Sequence, residues 1–498
     1  MSQIDTFQST GADGLQSDAK SVPESARGAI AELLANFACS LRDSPALIPG
    51  DVRAQALQRL LDNFGCMLFG RSVGPALCVA ELAAGMGRGR CRLLASPERT
   101  SPTAAALAHG TLAQSFELND LGVYVHPGAC VVPACLAALD EAERDISGQE
   151  FIAALVAGYE VTVRLSECVG PSPELDIGWH TPPFHGAVGA AIAASMLLGG
   201  DKAEMAQAAV IAADLAGGGL MLARLGSDVK RVHCGRGAET GVLAALMASR
   251  GLRSRLDTFE HPDWGYCRTL TASETGFNLA AIREGLGEDF IGFRRTAVKY
   301  YPVGAEVIGI MDSIAQIKRE HAFSVEDIDR VEIGTPAFFL KAEGHEFPES
   351  DAQVHFNSEY GAAMALIHDV RPVYEDRGIL DYWLQGYAQE SVKRLAARIK
   401  HSVDPELDHH NPYGIDSVVR VVLHNGAILE HRTEYVRRAD SAGAMQFAAM
   451  SQEKIEAKFQ ALAEKALAPG QRSLLMSTVL NLDKEIDARA LWRAFDTH

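Results

Sequence analysis

Gly186-Ala-Val-Gly-Ala-Ala-Ile-Ala-Ala-Ser-Met-Leu-Leu198 is the stretch on which the fold turns. It carries no charge, and its apolar side chains fall on every face of a helix. Such a helix is buried among other helices and does not lie on a surface. Ala187, Ala190, Ala191, Ala193 and Ala194 are small enough to let neighbouring helices approach closely. The run is shorter than the ~18 apolar residues of a membrane span, so it belongs to a protein core. Outward from it, Ala104–Leu118, Gln149–Val169, Lys202–Ala216 and Ala238–Arg250 repeat the same character. Residues 26–290 therefore read as one large all-α domain. The chain has no repeat of fixed period, which argues against a solenoid.

The character changes near Phe293. Asp329-Arg-Val-Glu-Ile-Gly334 and Ser417-Val-Val-Arg-Val-Val-Leu-His424 are β-rich, and the second leads through Asn425-Gly426 into Ile428–Val436. Two β-rich runs flanking Asn-Gly predict a hairpin. Helices are expected between these runs, at Glu306–Glu320, Ser358–Ile367 and Glu390–Ile399. Residues 291–437 thus form a smaller α+β domain. From Ser451 the pattern returns to amphipathic helix, so residues 438–498 are expected to pack back on the first domain and make it discontinuous. The fold class is mainly α. Residues 1–25 are polar and lack the apolar region of a signal peptide, which suggests a flexible tail.

The 498 residues are 47% apolar and 22% charged, an ordinary globular balance. A net charge of −18 disfavours nucleic acid and anionic membrane as partners. An anionic substrate would need a local cluster of cations. The chain has nine cysteines, an odd number with no CxxC pair, which fits reduced core thiols and a soluble, cytoplasmic protein.

Four segments gather polar groups and turn residues inside apolar sequence. Glu117-Leu-Asn119-Asp120-Leu-Gly-Val-Tyr-Val-His126-Pro-Gly sets two carboxylates and a histidine after a helical run. Gly178-Trp-His180-Thr181-Pro-Pro-Phe-His185 feeds a helix N-terminus, whose free N–H groups suit a carboxylate. Leu225-Gly-Ser-Asp-Val-Lys230-Arg231-Val-His233-Cys-Gly235-Arg236 places three cations before a long helix. They oppose the macrodipole there, which favours an anion site. Val298-Lys299-Tyr300-Tyr301-Pro302 lies at the domain boundary. Each segment also has a plainer explanation: histidines near turns cap helices, and clustered cations solvate helix starts. Metal ligation by His126, His180, His185 and His233 is disfavoured, because no pair has i,i+4 helical spacing. Gly217-Gly218-Gly219 follows a helical run, and no strand–GxGxxG–helix unit indicates a dinucleotide.

At these residues the sequence resembles the MmgE/PrpD family, which includes 2-methylcitrate dehydratase, cis-aconitate decarboxylase and iminodisuccinate epimerase. The resemblance runs from about Ala26 to Leu467. Glu117-Leu-Asn-Asp120-Leu121 matches the family's acidic run, and His126-Pro127 its following His-Pro. Gly178-Trp-His180 matches a Gly-x-His, and Lys230, Arg231, His233, Gly235 and Arg236 complete a Lys-Arg-x-His-x-Gly-Arg. Lys299, Tyr301 and Pro302 match Lys-x-Tyr-Pro, and Tyr360 matches a tyrosine after His355-Phe356-Asn357-Ser358. Departures stand beside these matches. Glu117 replaces an aspartate, Leu121 a threonine, and Val303-Gly-Ala-Glu-Val-Ile308 a segment that carries a histidine. A Gly-His-Pro is replaced by Ser441-Ala-Gly-Ala-Met-Gln446.

The resemblance implies a large all-α domain with an α+β lid, a homodimer, and a cofactor-free lyase that removes the proton alpha to a carboxylate of a small di- or tricarboxylate. Dehydration is the first reading; decarboxylation and epimerisation are its alternatives. A metal-dependent hydrolase and a non-catalytic carboxylate-binding paralogue are alternatives of another class. Such chemistry needs a base near neutral pKa, cations on the carboxylates and an acid. A histidine's ordinary pKa of ~6.5 suits the task. His126 and His180 are expected to move protons, with Lys230 holding a carboxylate, Asp120 orienting His126 or the substrate hydroxyl, and Tyr360 donating from the lid. Glu117, Asn119, Thr181, Arg231, Lys299 and Tyr301 are expected to contact substrate, and His233 and Arg236 to support them.

Overall fold

The computed structural model describes residues 29–496 apart from 123, 345, 411–414 and 434–449. The chain is mainly α, with a small α+β domain. Its first part is built from α1 (Ile30–Asp43), α2 (Gly50–Gly70), α3 (Gly74–Ala84), α4 (Pro102–Gln114), α5 (Pro127–Glu141), α6 (Gly148–Val169), α7 (Pro182–Leu197), α8 (Lys202–Leu215) and α9 (His233–Ser249). A short ribbon, β1 (Cys91–Arg92) with β2 (Arg99–Thr100), flanks them. As the uncharged run at 186–198 predicts, α7 is buried along its whole length and packs against α5, α6, α8 and α9.

Side chains at the helix starts explain several of the boundaries. Asp201 accepts from Glu204 N at 2.8 Å while the Glu204 carboxylate accepts from Asp201 N at 2.9 Å, a reciprocal cap that starts α8. Ser147 accepts from Glu150 N at 3.2 Å and starts α6. The crossing of α4 and α9 depends on glycine: a Cβ on Gly110 would lie 2.7 Å from Gly235 Cα. That close approach brings the end of α4, which leads into Glu117, beside the turn that carries Lys230.

The second part holds a four-stranded sheet of β3 (Ile328–Thr335), β4 (Ile399–Val403), β5 (Ser417–Leu423) and β6 (Ile428–Thr433), in the order β4-β3-β5-β6. β3 runs parallel to β4, with Val331 opposite Ile399. It is antiparallel to β5, and β5 to β6. The hairpin turns at Asn425-Gly426, where Gly426 takes φ +87° and Asn425 Oδ1 accepts from Ala427 N at 2.9 Å. Helix Ala305–Glu320 packs on β5 and β6, and helix Ser358–His368 on β4.

Two expected elements differ. The helix predicted over Glu390–Ile399 ends at Ala396, and Ile399 opens β4 instead. The backbone of β3 offers a pairing edge there that outweighs helical propensity. The helix predicted to Leu118 stops at Gln114, ahead of a left-handed residue at Glu117. The strand predicted to Val436 is seen to Thr433; residues 434–449, which include the boundary at 437 and Ser441–Gln446, lie outside the described residues, as does the N-terminal segment 1–25. Helix Gln452–Ala463 returns to α2, where Lys458 Nζ pairs with Asp62 at 2.6 Å. Among the described residues no single helix is long and apolar enough to cross a membrane.

Candidate active site

The loop after α4 carries two non-glycine residues in the left-handed region, Glu117 and Tyr124, both at φ +55°. Such conformations cost ~1–3 kcal/mol each and persist only where surrounding contacts hold them. Leu121 and Ala297 exchange backbone hydrogen bonds of 2.9 and 2.8 Å, which sets the Lys299 segment beside Glu117. The 3-10 turn Asp228–Val232, ahead of α9, brings Lys230 to the other side. The Glu117 carboxylate thus sits between two ammonium groups, pairing with Lys230 through Oε1 and with Lys299 through Oε2 at 3.0 Å. Gln114 Nε2 also donates to Oε1 at 3.1 Å, and Lys299 donates to Val303 O at 2.9 Å. All three charged side chains are buried.

This trio forms one wall of a cavity of about 70 Å³. His126 and His180 line it together with Leu121, Tyr124, Glu174 and Arg224 from the helical part. Glu306, Phe338, Phe339, Phe356 and Ile415 close it from the sheet-bearing part. Residues from distant parts of the chain therefore face one cleft, at the meeting of the two parts. The Phe356 ring lies 4.5 Å from the Arg224 guanidinium and 4.8 Å from the Lys230 ammonium, a cation–π contact with each.

The two imidazoles are oriented by defined partners. His126 Nδ1 lies 2.9 Å from the carbonyl oxygen of Asp120. A carbonyl only accepts, so Nδ1 carries the proton and Nε2 is left bare and basic. His180 Nδ1 lies 2.9 Å from His233 Nδ1, so the two rings share one proton between those nitrogens.

Burial dominates their titration. It lowers His126 to about 3, helped by the Lys299 and Lys230 charges. It holds His180 well below the ordinary histidine range, with Lys230 and His233 adding to the effect. The expectation of imidazoles poised near neutral is corrected here: burial leaves both rings uncharged. Burial also brings Lys230 down to about 8 against the pull of Glu117. For Glu117, burial raises the carboxyl, yet the Lys230 and Lys299 charges win and hold it well below the usual range.

Of the residues singled out from sequence, Glu117, His126, His180, Lys230 and Lys299 line the cavity. Asp120 does not, being buried with Oδ1 accepting from Gly128 N at 3.1 Å; its main-chain carbonyl, not its carboxylate, orients His126. Asn119 donates to Asp120 O at 3.3 Å, and Thr181 Oγ1 donates to Glu174 Oε1 at 2.7 Å. Arg231 Nε donates to Ser115 O at 3.0 Å and its guanidinium pairs with Asp228. His233 stands behind His180. Arg236 is exposed and pairs with Glu239. Tyr301 is buried in the core, and Tyr360 donates its hydroxyl to Trp383 O within the sheet-bearing domain. Lys230 and Arg231 ahead of α9 and Arg236 in its first turn therefore each have an anionic partner, which removes the macrodipole argument for an unpaired anion site. Arg224, Glu174 and Glu306 were not singled out; no local pattern marks them.

Residues 32–277 match the MmgE/PrpD N-terminal domain, and residues 301–483 match the MmgE/PrpD C-terminal domain. The chain belongs to the MmgE/PrpD family. Among relatives of this MmgE/PrpD chain, a cis-aconitate decarboxylase of Aspergillus terreus (strain NIH 2624 / FGSC A1156) is 30% identical over 283 residues, covering 55% of this chain and 57% of that protein. The cis-aconitate decarboxylase-like protein oryM of Aspergillus oryzae is 32% identical, covering 50% of this chain and 52% of its own. The chain thus spans little more than half the length of these fungal relatives. A cis-aconitate decarboxylase of Mus musculus is 24% identical over 79% of this chain and 78% of its own. Of the departures read from the sequence, Glu117, Leu121 and the segment Gly304-Ala305-Glu306 fall on the cavity wall.

Proposed function

We propose that this chain is a lyase of small carboxylic acids that works through a carbanion alpha to a carboxylate, with side chains as its proton carriers. The observation that carries the reading is the convergence of His126, His180 and Lys230 on one cavity. His126 Nε2 takes the proton from the α-carbon. The C–H electron pair moves into the adjacent carboxylate as an enediolate, and the Lys230 ammonium stabilises that charge. In a dehydration the pair returns to form C=C while the C–O bond breaks, and His180 gives the leaving hydroxide its proton. Entry of an anionic substrate raises both imidazoles from their low values, because a nearby negative charge favours the protonated form.

A second reading, decarboxylation, is favoured by the relatives, which are cis-aconitate decarboxylases. There the C–C bond breaks, CO2 leaves, and the electron pair stays on carbon until an imidazolium protonates it. Lys230 and Lys299 serve both readings, since each builds up negative charge that an ammonium group stabilises.

The test is incubation in deuterated water with the dicarboxylates malate and aspartate and with 2-methylcitrate, citrate, cis-aconitate and iminodisuccinate, following product and label by NMR. Turnover of one acid is expected: dehydration leaves the former carbanion carbon unlabelled in the alkene and puts deuterium only into recovered substrate, whereas decarboxylation leaves a single deuterium at that carbon of the product. Ligand-induced thermal stabilisation with neither turnover nor exchange across the panel would mean a binding protein and end the proposal.

A further inference from the structure

The charges on the cavity wall cancel before any substrate enters. Arg224, Lys230 and Lys299 face Glu117, Glu174 and Glu306. Lys230 and Lys299 share the Glu117 carboxylate, so that trio keeps one positive charge for a substrate carboxylate. Arg224 is spent on Glu306, in an ion pair that joins the helical part to the sheet-bearing part. A buried charge needs a partner, so a fully ionised tricarboxylate finds too few free cations here.

Glu306 has a prepared seat. A Cβ on Gly304 would overlap its carboxylate, and Gly304 itself takes φ −55°, which any residue adopts. Glycine is therefore needed there for space and not for backbone freedom. Glu306 Oε1 accepts from Arg224, while Oε2 receives no protein donor among the described residues. Glu306 lines the cleft, so an acceptor oxygen left without a protein donor there is open to a donor from the ligand. Nearby, Glu343 is pushed up to about 8 by burial and by the Glu306 charge, so this corner resists further negative charge.

We propose that Glu306 sets the substrate class: the cavity takes an acid with no more than two carboxylates, whose hydroxyl or ammonium donates to Glu306, and it rejects a third carboxylate. The inference rests on the carboxylate-lyase reading above and narrows it.

Equilibrium binding of malate, aspartate, succinate and tricarballylate to the full chain, by calorimetry, tests it. Wild type should bind malate or aspartate at least ~10-fold more tightly than either succinate or tricarballylate. Glu306→Gln should tighten tricarballylate ~10-fold and erode the preference for malate over succinate. Gly304→Ala, which displaces the carboxylate without removing its charge, should shift selectivity the same way and guards against a folding defect in the first variant. Tight tricarballylate binding to wild type that Lys230→Met abolishes would overturn this inference and leave the carboxylate reading intact. An unchanged tricarballylate-to-malate ratio in both variants would also overturn it. Failure of every acid to bind would overturn both.

Discussion

Lys230 does two jobs that pull its pKa in opposite directions. Burial lowers it to about 8, while Glu117 keeps it charged at neutral pH. A carboxylate is held by the ammonium and not by the amine, so this function is present below about 8 and is lost as the pH rises through that value. kcat/KM should therefore fall between pH 7 and 9. In Lys230→Arg, whatever activity survives should stay flat through that range, because a guanidinium keeps its proton. A wild-type profile that is level to pH 10 would exclude this role. At this scale the sequence was informative wherever an acid or base sat in a turn between apolar runs, as Glu117, His126, His180 and Lys230 do. Arg224 and Glu306 were illegible because their meaning is a pairing between residues 82 apart in the chain. Tyr360 misled for the converse reason: its motif matched, but its hydroxyl is spent on Trp383 O.

At the scale of elements, helix Gln452–Ala463 reaches the site without touching the cavity. Lys458 Nζ donates to Leu118 O at 2.5 Å and pairs with Asp62, with both charged side chains fully buried. It thereby fixes the turn in which Glu117 holds its left-handed conformation. Lys458→Met should strand the Asp62 carboxylate and cost about 3–5 kcal/mol of stability. Adding Asp62→Leu should recover most of that loss in denaturant unfolding, while kcat stays depressed because Leu118 O still lacks its donor. Wild-type kcat in the stable double variant would show that the helix serves stability alone. The amphipathic pattern from Ser451 showed the helix, and Asn425-Gly426 showed the hairpin. β4 was hidden because Ile399–Val403 is a strand only by virtue of the β3 edge beside it.

At the scale of the whole molecule, a chain of net charge −18 concentrates its useful cations in one cleft. The helical part contributes the imidazoles and Lys230, the segment between the two parts contributes Lys299, and the sheet-bearing part contributes Glu306 and the aromatic wall. The all-α reading was available because a run apolar on every face, such as Gly186–Leu198, has one physical home. The cavity itself was not, because it exists only where the two parts meet. His126, His180 and Lys230 act together there. The most direct measurement is deuterium exchange at the substrate α-carbon, by NMR, in His126→Ala, His180→Ala and Lys230→Met, with thermal unfolding in parallel. Exchange slowed ~10²–10⁴-fold in each variant, with midpoints within a few degrees of wild type, is the expected result. Wild-type exchange rates in all three would contradict the account.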